Sequence, residues 1–168
     1  MDLSEIGKRC GTDKGTEHGY LPIYEQYLDG IRLSIRSLLE LGIFKGSSLR
    51  MWNEYLPNAI ISGLDINVDR SLVSERIKIY EGDSSEVYVA NQFEDNTFDV
   101  IVNDASHLPP HQILSLCWFW SKLKKDGLFF IEDIGCHDWL RYFAPLKPII
   151  YEINKGGKPD DILLVFRK

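Results

Sequence analysis

The chain has 168 residues, 44% hydrophobic and 26% charged, an ordinary balance for a globular protein with a sizeable core. Its net charge of -6 and isoelectric point near 5.2 argue against a nucleic-acid polyanion as the main partner, since such binding leans on clustered Lys and Arg. The start Met1-Asp2-Leu3-Ser4-Glu5 lacks a basic stretch followed by an apolar one, no apolar run reaches membrane-spanning length, and Cys10, Cys117 and Cys136 form no C-x-x-C pair; the expectation is a cytoplasmic protein with reduced thiols.

Residues 1–37 precede the first core strand and hold the cluster Gly11-Thr12-Asp13-Lys14-Gly15-Thr16-Glu17-His18-Gly19-Tyr20. Its glycines disfavour a regular helix before Leu21–Leu28, so it reads as a loop. That loop is either simply solvated or a lid whose Lys14, His18 and Tyr20 close over a ligand.

Leu38–Leu41 is an apolar run broken only by Glu40, as expected of a parallel strand covered on both faces. Gly42 and Gly46 let the backbone bend, and a helix over Ser48–Leu56 follows, with Leu49, Trp52 and Leu56 on one face and Pro57 past its end. Free N–H groups at that helix start suit a carboxylate or phosphate. A second strand, Ile60–Asp65, ends on an acid able to take both hydroxyls of a ribose.

The third strand is Ile77–Glu81, followed by Gly82-Asp83-Ser84, which either faces an adenine or caps a turn. Ser85–Phe93 is a weak helix and Phe98–Asp104 a fourth strand ending in an acid. Pro109-Pro110 starts a helix to about Lys124, Asp126-Gly127 ends it, and Gly127–Asp133 forms a fifth strand. Cys117-Trp118-Phe119-Trp120 makes that helix apolar nearly all round, which suits a contact with the N-terminal segment or with a second subunit in a homo-oligomer. Ile149–Ile153 and Asp161–Phe166, joined by a turn through Gly156-Gly157, read as a hairpin. The expected fold is α/β, a doubly wound, seven-stranded, mostly parallel sheet closed by a C-terminal antiparallel hairpin, as one domain over residues 1–168.

Ligands of such sheets bind outside the C-terminal strand ends. Asp104, Glu132 and Asp133 meet there and would repel one another unless a cation sits between them. An all-oxygen set favours Mg²⁺ or a similar hard divalent ion over zinc. His107, three residues past Asp104, is placed to take the proton of a hydroxyl made acidic by that ion. The bland reading makes Asp104 a loop cap and His107 a surface histidine.

The glycine turn, Glu40-x-Gly42-x-x-x-Gly46, lacks the close glycines that admit a dinucleotide pyrophosphate and resembles motif I of the class I S-adenosylmethionine (SAM) methyltransferases. Taken with D-K-G-x-x-H-G-Y from Asp13, D-x-S-H from Asp104 and I-E-D-I from Ile131, the pattern is similar to the metal-dependent sugar O-methyltransferases of macrolide and bacterial polysaccharide pathways. The resemblance covers roughly residues 11–134 and implies a Rossmann-like methyltransferase fold. It further implies metal ligands at Asp104, Glu132 and Asp133, a general base at His107, and a SAM site at Glu40, Gly42, Gly46, Ser48, Asp65, Asp83 and Ser84, with Tyr20 from the lid. The acceptor would be a small molecule or glycan. The macrolide members carry a further N-terminal domain that these residues do not include, so acceptor choice would fall to residues 1–37 and 134–148, with His137, Trp139, Arg141 and Tyr142 as candidates; core packing is the expectation for Trp139 and Tyr142. Two rival functions remain open at this level, a nicotinamide-dependent oxidoreductase and a non-catalytic SAM-binding module.

Overall fold

The computed structural model describes residues 2–153 and 162–168. Among these residues seven strands, β1 (Ser37–Leu41), β2 (Ile60–Asp65), β3 (Ile77–Glu81), β4 (Phe98–Asn103), β5 (Leu123–Ile131), β6 (Ile149–Glu152) and β7 (Ile162–Arg167), form one sheet in the order β3-β2-β1-β4-β5-β7-β6. β7 runs antiparallel to both of its neighbours, and β1 to β5 pair in parallel. The expected architecture is therefore present, although the Gly156-Gly157 turn lies outside the described residues. No helix among the described residues is long and apolar enough to cross a membrane.

Side chains alternate across the strands, and each face acquires its own core. Leu38, Ile61, Val100, Phe130 and Val165 face one layer, packed with Leu3, Tyr24 and Trp52. These come from α1 (Leu3–Cys10), α3 (Leu21–Leu28) and α4 (Ser47–Tyr55). Leu39, Ile101, Phe129 and Leu164 face the other layer with Phe119 of α6 (Pro109–Phe119) and Phe143.

Several local expectations need correction. The Gly11–Tyr20 cluster, expected as a loop, contains a short helix, α2 (Asp13–Thr16), just after α1, which the Asp2 carboxylate caps at its N-terminus and Gly11 ends at φ 73°. Glycine at position 15 does not stop a single helical turn held by its neighbours. The helix from Pro109 ends at Phe119 rather than near Lys124, a 3-10 turn follows over Trp120–Lys122, and β5 begins at Leu123. Asp126-Gly127 is not a helix stop but an irregularity within β5, with Asp126 at φ 64° and a register shift against β4. Within 85–93 only α5 (Val87–Ala90) is helical. Cys117 is exposed, and Tyr142 is about half exposed rather than core.

One polar junction ties three strand starts together. Asp99 of β4 accepts from Arg36 N (2.8 Å), Ser37 N (2.9 Å) and Ser37 Oγ (3.0 Å) beside β1, and from Lys124 Nζ (2.8 Å) on β5. Burial works to raise this carboxyl, yet the Lys124, Arg36 and Ser37 hydrogen bonds outweigh it and hold the pKa below its ordinary value. Such a group lends stability above its unfolded-state pKa and withdraws it as pH falls through the lowered one. Asp99→Asn is therefore expected to cost about 1–3 kcal/mol at pH 7, with the deficit shrinking as urea melts are taken below the ordinary aspartate value of 3.8. An equal deficit at pH 7 and pH 3 would exclude the charge as its source.

Candidate active site

Parallel register brings the C-terminal ends of β1, β4 and β5 level, Leu41 opposite Asn103 and Asn103 opposite Ile131. Backbone bonds carry the alignment one residue further, with Asp104 N donating to Leu41 O (2.8 Å) and Glu132 N to Asn103 O (3.0 Å). Period-two alternation then puts Glu40 and Glu132 on the face of Leu38 and Phe130, toward α1 and α3. The N-terminal helices meet these acids with cations and hydroxyls.

Lys14 of α2 is 1% exposed. Its ammonium lies 2.5 Å from Asp104 Oδ2, 2.8 Å from Glu132 Oε2 and 3.2 Å from Glu40 Oε1. Tyr24 OH donates to Glu132 Oε1 (2.5 Å), and Tyr20 OH to Asp133 Oδ1 (2.5 Å), whose other neighbour is His18 Nδ1 at 3.3 Å. Ser48 Oγ donates to Glu40 Oε2 (2.7 Å).

His107 sits on the open side at φ 53°. Its Nε2 is 3.1 Å from Asp104 Oδ1 and 3.3 Å from Asp133 Oδ2, and the side chain is about half exposed. One ligand atom from each of Asp104, His107 and Asp133 falls within 4.8 Å of the others, the spacing of a cation site. Glu132, expected with them, turns its two oxygens to Lys14 and Tyr24.

The electrostatics follow from burial and neighbours. Burial raises Glu132, Glu40 and Asp133 above ordinary carboxylate values, and nearby Asp104 adds to all three. Burial pushes Asp104 the same way, but Lys14 and His107 outweigh it and hold it low. The bond to Asp104 raises His107, helped by the Asp133 charge. Burial thus biases three of the four acids toward their neutral forms, while Asp104 is held in its charged form by Lys14 and His107.

Beside the cluster opens a cleft of about 610 Å³, lined by Gly42, Phe44, Ser48, Asp65, Asp104 and His107. A smaller cavity of about 240 Å³ adjoins it, where Leu64, Asp83, Ser84 and His111 join Gly42 and Asp65. Together they match the size of small-molecule and cofactor sites.

Residues 39–134 match the family model described as a methyltransferase domain. The chain belongs to that family. Over 158 residues it is 32% identical to mycinamicin VI 2''-O-methyltransferase of Micromonospora griseorubida, a match covering 88% of this chain and 39% of the relative. It is 30% identical over 153 residues to L-olivosyl-oleandolide 3-O-methyltransferase of Streptomyces antibioticus, covering 85% and 40%. The chain thus matches about two fifths of the length of these curated relatives. Among solved structures, MycE methyltransferase from the mycinamycin pathway in complex with Mg and SAH shares the fold at TM-score 0.82 and 22% identity, over 99% of this chain and 55% of that one. A second crystal form of that protein superposes at 0.74 with 30% identity, over 86% and 38%.

In this methyltransferase domain the residues singled out from sequence fall into three groups. Gly42, Ser48, Asp65, Asp83, Ser84, Asp104 and His107 line the two cavities. Asp65 Oδ2 also accepts from Ile43 N (2.8 Å) and Phe44 N (3.1 Å), pinning the glycine turn, while Asp83 Oδ1 accepts from Ser85 N (2.8 Å) and Ser85 Oγ (2.7 Å). Glu40, Glu132, Asp133 and Tyr20 lie beneath the surface, the three acids partnered by Lys14, Tyr24, Ser48 and Tyr20 itself. Gly46 opens α4 at φ 73° and packs against Leu72.

The lid expectation needs correction for Lys14 and Tyr20. Both are buried among the strand-end acids, because burial of three carboxylates demands a cation and donors from the layer above. Sequence reasoning missed Lys14 as the common partner, since a lysine between glycines carries no periodic signal; it also missed Tyr24, whose spacing reads only as core.

Gly42 shows how tightly the turn is built. At φ 85°, a Cβ added there would lie 2.1 Å from the Asp104 carbonyl oxygen and 2.6 Å from Ala105 Cα. Those neighbours are backbone and cannot turn aside. Gly42→Ala is expected to lose about 2–4 kcal/mol from left-handed strain and overpacking, read as a lowered Tm; an unchanged Tm would show that the β1 turn and the Asp104 loop are not in this contact.

Proposed function

We propose that the chain carries the methyl-transfer chemistry of a divalent-ion-dependent, SAM-dependent O-methyltransferase acting on a hydroxyl of a sugar, in a glycan or a natural-product glycoside. The observation carrying this reading is His107 Nε2, within 3.3 Å of both Asp104 and Asp133 at the mouth of the cleft. The relatives described above are sugar O-methyltransferases by name, and a MycE structure holds Mg, SAH and mycinamycin VI. A net charge of -6 favours a neutral glycoside over a nucleic acid. A cytoplasmic setting belongs to the same reading, supported by three free cysteines among the described residues.

The residues suit the groups the reaction needs. Asp104 and Asp133 offer hard oxygens at cation spacing, and Glu132 keeps unused lone pairs behind them. Asp65 and Asp83 stand at successive strand ends along the cleft, with Leu64 and Ile66 as apolar wall, a lining suited to a nucleoside. When bound, a hard divalent ion supplies the positive charge that makes a hydroxyl acidic, and SAM supplies an electrophilic methyl on its sulfonium.

His107 performs the proton step. It would take the hydroxyl proton on a ring nitrogen that is not donating to Asp104 or Asp133, as the acceptor oxygen bonds to the methyl that bound SAM would supply and the carbon–sulfur pair leaves with S-adenosylhomocysteine. The two carboxylates fix the ring's position, so the base approaches from one direction. Lys14, Tyr20 and Tyr24 hold the acids from behind and keep water from that side.

With labelled SAM and a panel of deoxysugar glycosides bearing neighbouring hydroxyls, methyl transfer should require a divalent ion and stop with chelator. His107→Ala should lower kcat by about 10²–10⁴-fold while calorimetric binding of S-adenosylhomocysteine is retained. Full activity in that variant, or chelator-insensitive turnover, would exclude the mechanism. Binding of a nicotinamide dinucleotide in place of SAM would exclude the activity.

A further inference from the structure

Lys14 is buried on a helix of four residues, yet it meets three carboxylates with three ammonium protons. Two of these acids, Asp104 and Glu132, are proposed ion ligands. Asp104 divides its oxygens, Oδ2 facing Lys14 and Oδ1 facing His107 in the group spaced for a cation. A permanent monovalent cation and an exchangeable divalent one therefore draw on the same carboxylate from opposite sides.

Two opposed effects follow. Without an ion, Asp104 and Glu132 repel each other, and the ammonium between them keeps both facing inward. With an ion, the same ammonium is a like charge in a poorly screened interior, where repulsion at short range is worth far more than in water. Tyr24 on Glu132 and Ser48 on Glu40 are neutral donors and contribute only to the first effect.

We propose that Lys14 is a positioning residue, a resident counter-ion that assembles Asp104 and Glu132 in advance and holds down the affinity of the site for a divalent ion. The inference rests on the ion-dependent reading above and concerns what sets that affinity. It accounts for an arrangement in which the most buried acids of the cluster face a lysine rather than solvent. A lysine present only for folding would act with the opposite sign, since its loss would loosen the ligands and weaken the ion.

Mn²⁺ serves as the probe, its binding to SAM-free protein followed at pH 8 by the electron paramagnetic resonance of the free ion. Lys14→Met keeps most of the stem and removes the charge. It is expected to bind Mn²⁺ roughly tenfold or more tightly than wild type, to melt lower without Mn²⁺, and to gain a larger rise in Tm when Mn²⁺ is added. Lys14→Arg, which keeps the charge, should show no tightening. Unchanged or weaker Mn²⁺ binding by folded Lys14→Met, or equal tightening in Lys14→Arg, overturns the proposal. If Lys14→Met does not fold, Glu40→Gln supplies the opposite arm: with one partner weakened, the ammonium leans harder on Asp104 and Glu132 and Mn²⁺ binding weakens, so unchanged or tighter binding overturns it. Absence of Mn²⁺ binding by wild type overturns the ion-dependent reading itself, and this inference with it.

Discussion

The buried contact of the Lys14 ammonium with Glu40, Asp104 and Glu132 is the interaction on which the rest of this structure leans. Moving either sign of charge out of water costs several kcal/mol, and removing one member of a buried pair typically costs about 3–5 kcal/mol because the other is left unpaired. The N-terminal helices and the strand ends consequently stabilise each other. α1 and α3 pack apolar side chains on the sheet, while α2 between them delivers the cation that the strand ends require. Tyr20 and Tyr24 extend the same logic with hydroxyls, each reaching an acid that burial would otherwise drive toward protonation.

The sheet explains why acids gather at this place. After β1 the chain runs outward through β2 and β3, then returns to place β4 on the opposite side of β1. Loops leaving β1 and β4 therefore diverge and leave a crevice between them. Gly42 turns one wall of it and the Asp104 loop forms the other, so close that glycine is required. β5 lies beside β4 in parallel and adds its own end residues, Glu132 and Asp133, to the same rim. Past the end of β5 the strand alternation stops, Asp133 taking φ 54°, so Glu132 faces Lys14 and Tyr24 while Asp133 turns to Tyr20, His18 and His107.

Much of this was legible in the sequence. Apolar runs ending in acids carried the parallel strands, because a strand buried on both faces has no polar alternation to obscure it. The glycine spacing after Glu40 marked the turn, and D-x-S-H with I-E-D-I marked the rim. Within the Gly11–Tyr20 cluster the Asp13–Thr16 turn escapes a propensity that counts glycines, because α2 is held by packing on α1. The end of α6 was misread because Asp126-Gly127 has the same composition whether it stops a helix or kinks a strand. Lys14 escaped for a different reason: its role depends on residues 26, 90 and 118 positions away in the chain, and no local pattern encodes that.

Charge balance connects the folded protein to its proposed reaction. Glu40, Asp104, Glu132 and Asp133 share Lys14 with His18 and His107 at the rim, and burial first, then the repulsion of Asp104, raises Glu40, Glu132 and Asp133. A divalent ion and a sulfonium would bring three positive charges, which with Lys14 match four carboxylates. In the proposed transfer the sulfonium would become a neutral thioether and the acceptor would give up a proton, so the site would keep its charge only while a nearby base held that proton. His107 bridges two of the four acids from the solvent side, where a proton can be held against the restored negative charge and then released to water. On this reading the acids first compensate the donor's charge and then stabilise the proton that its loss leaves behind.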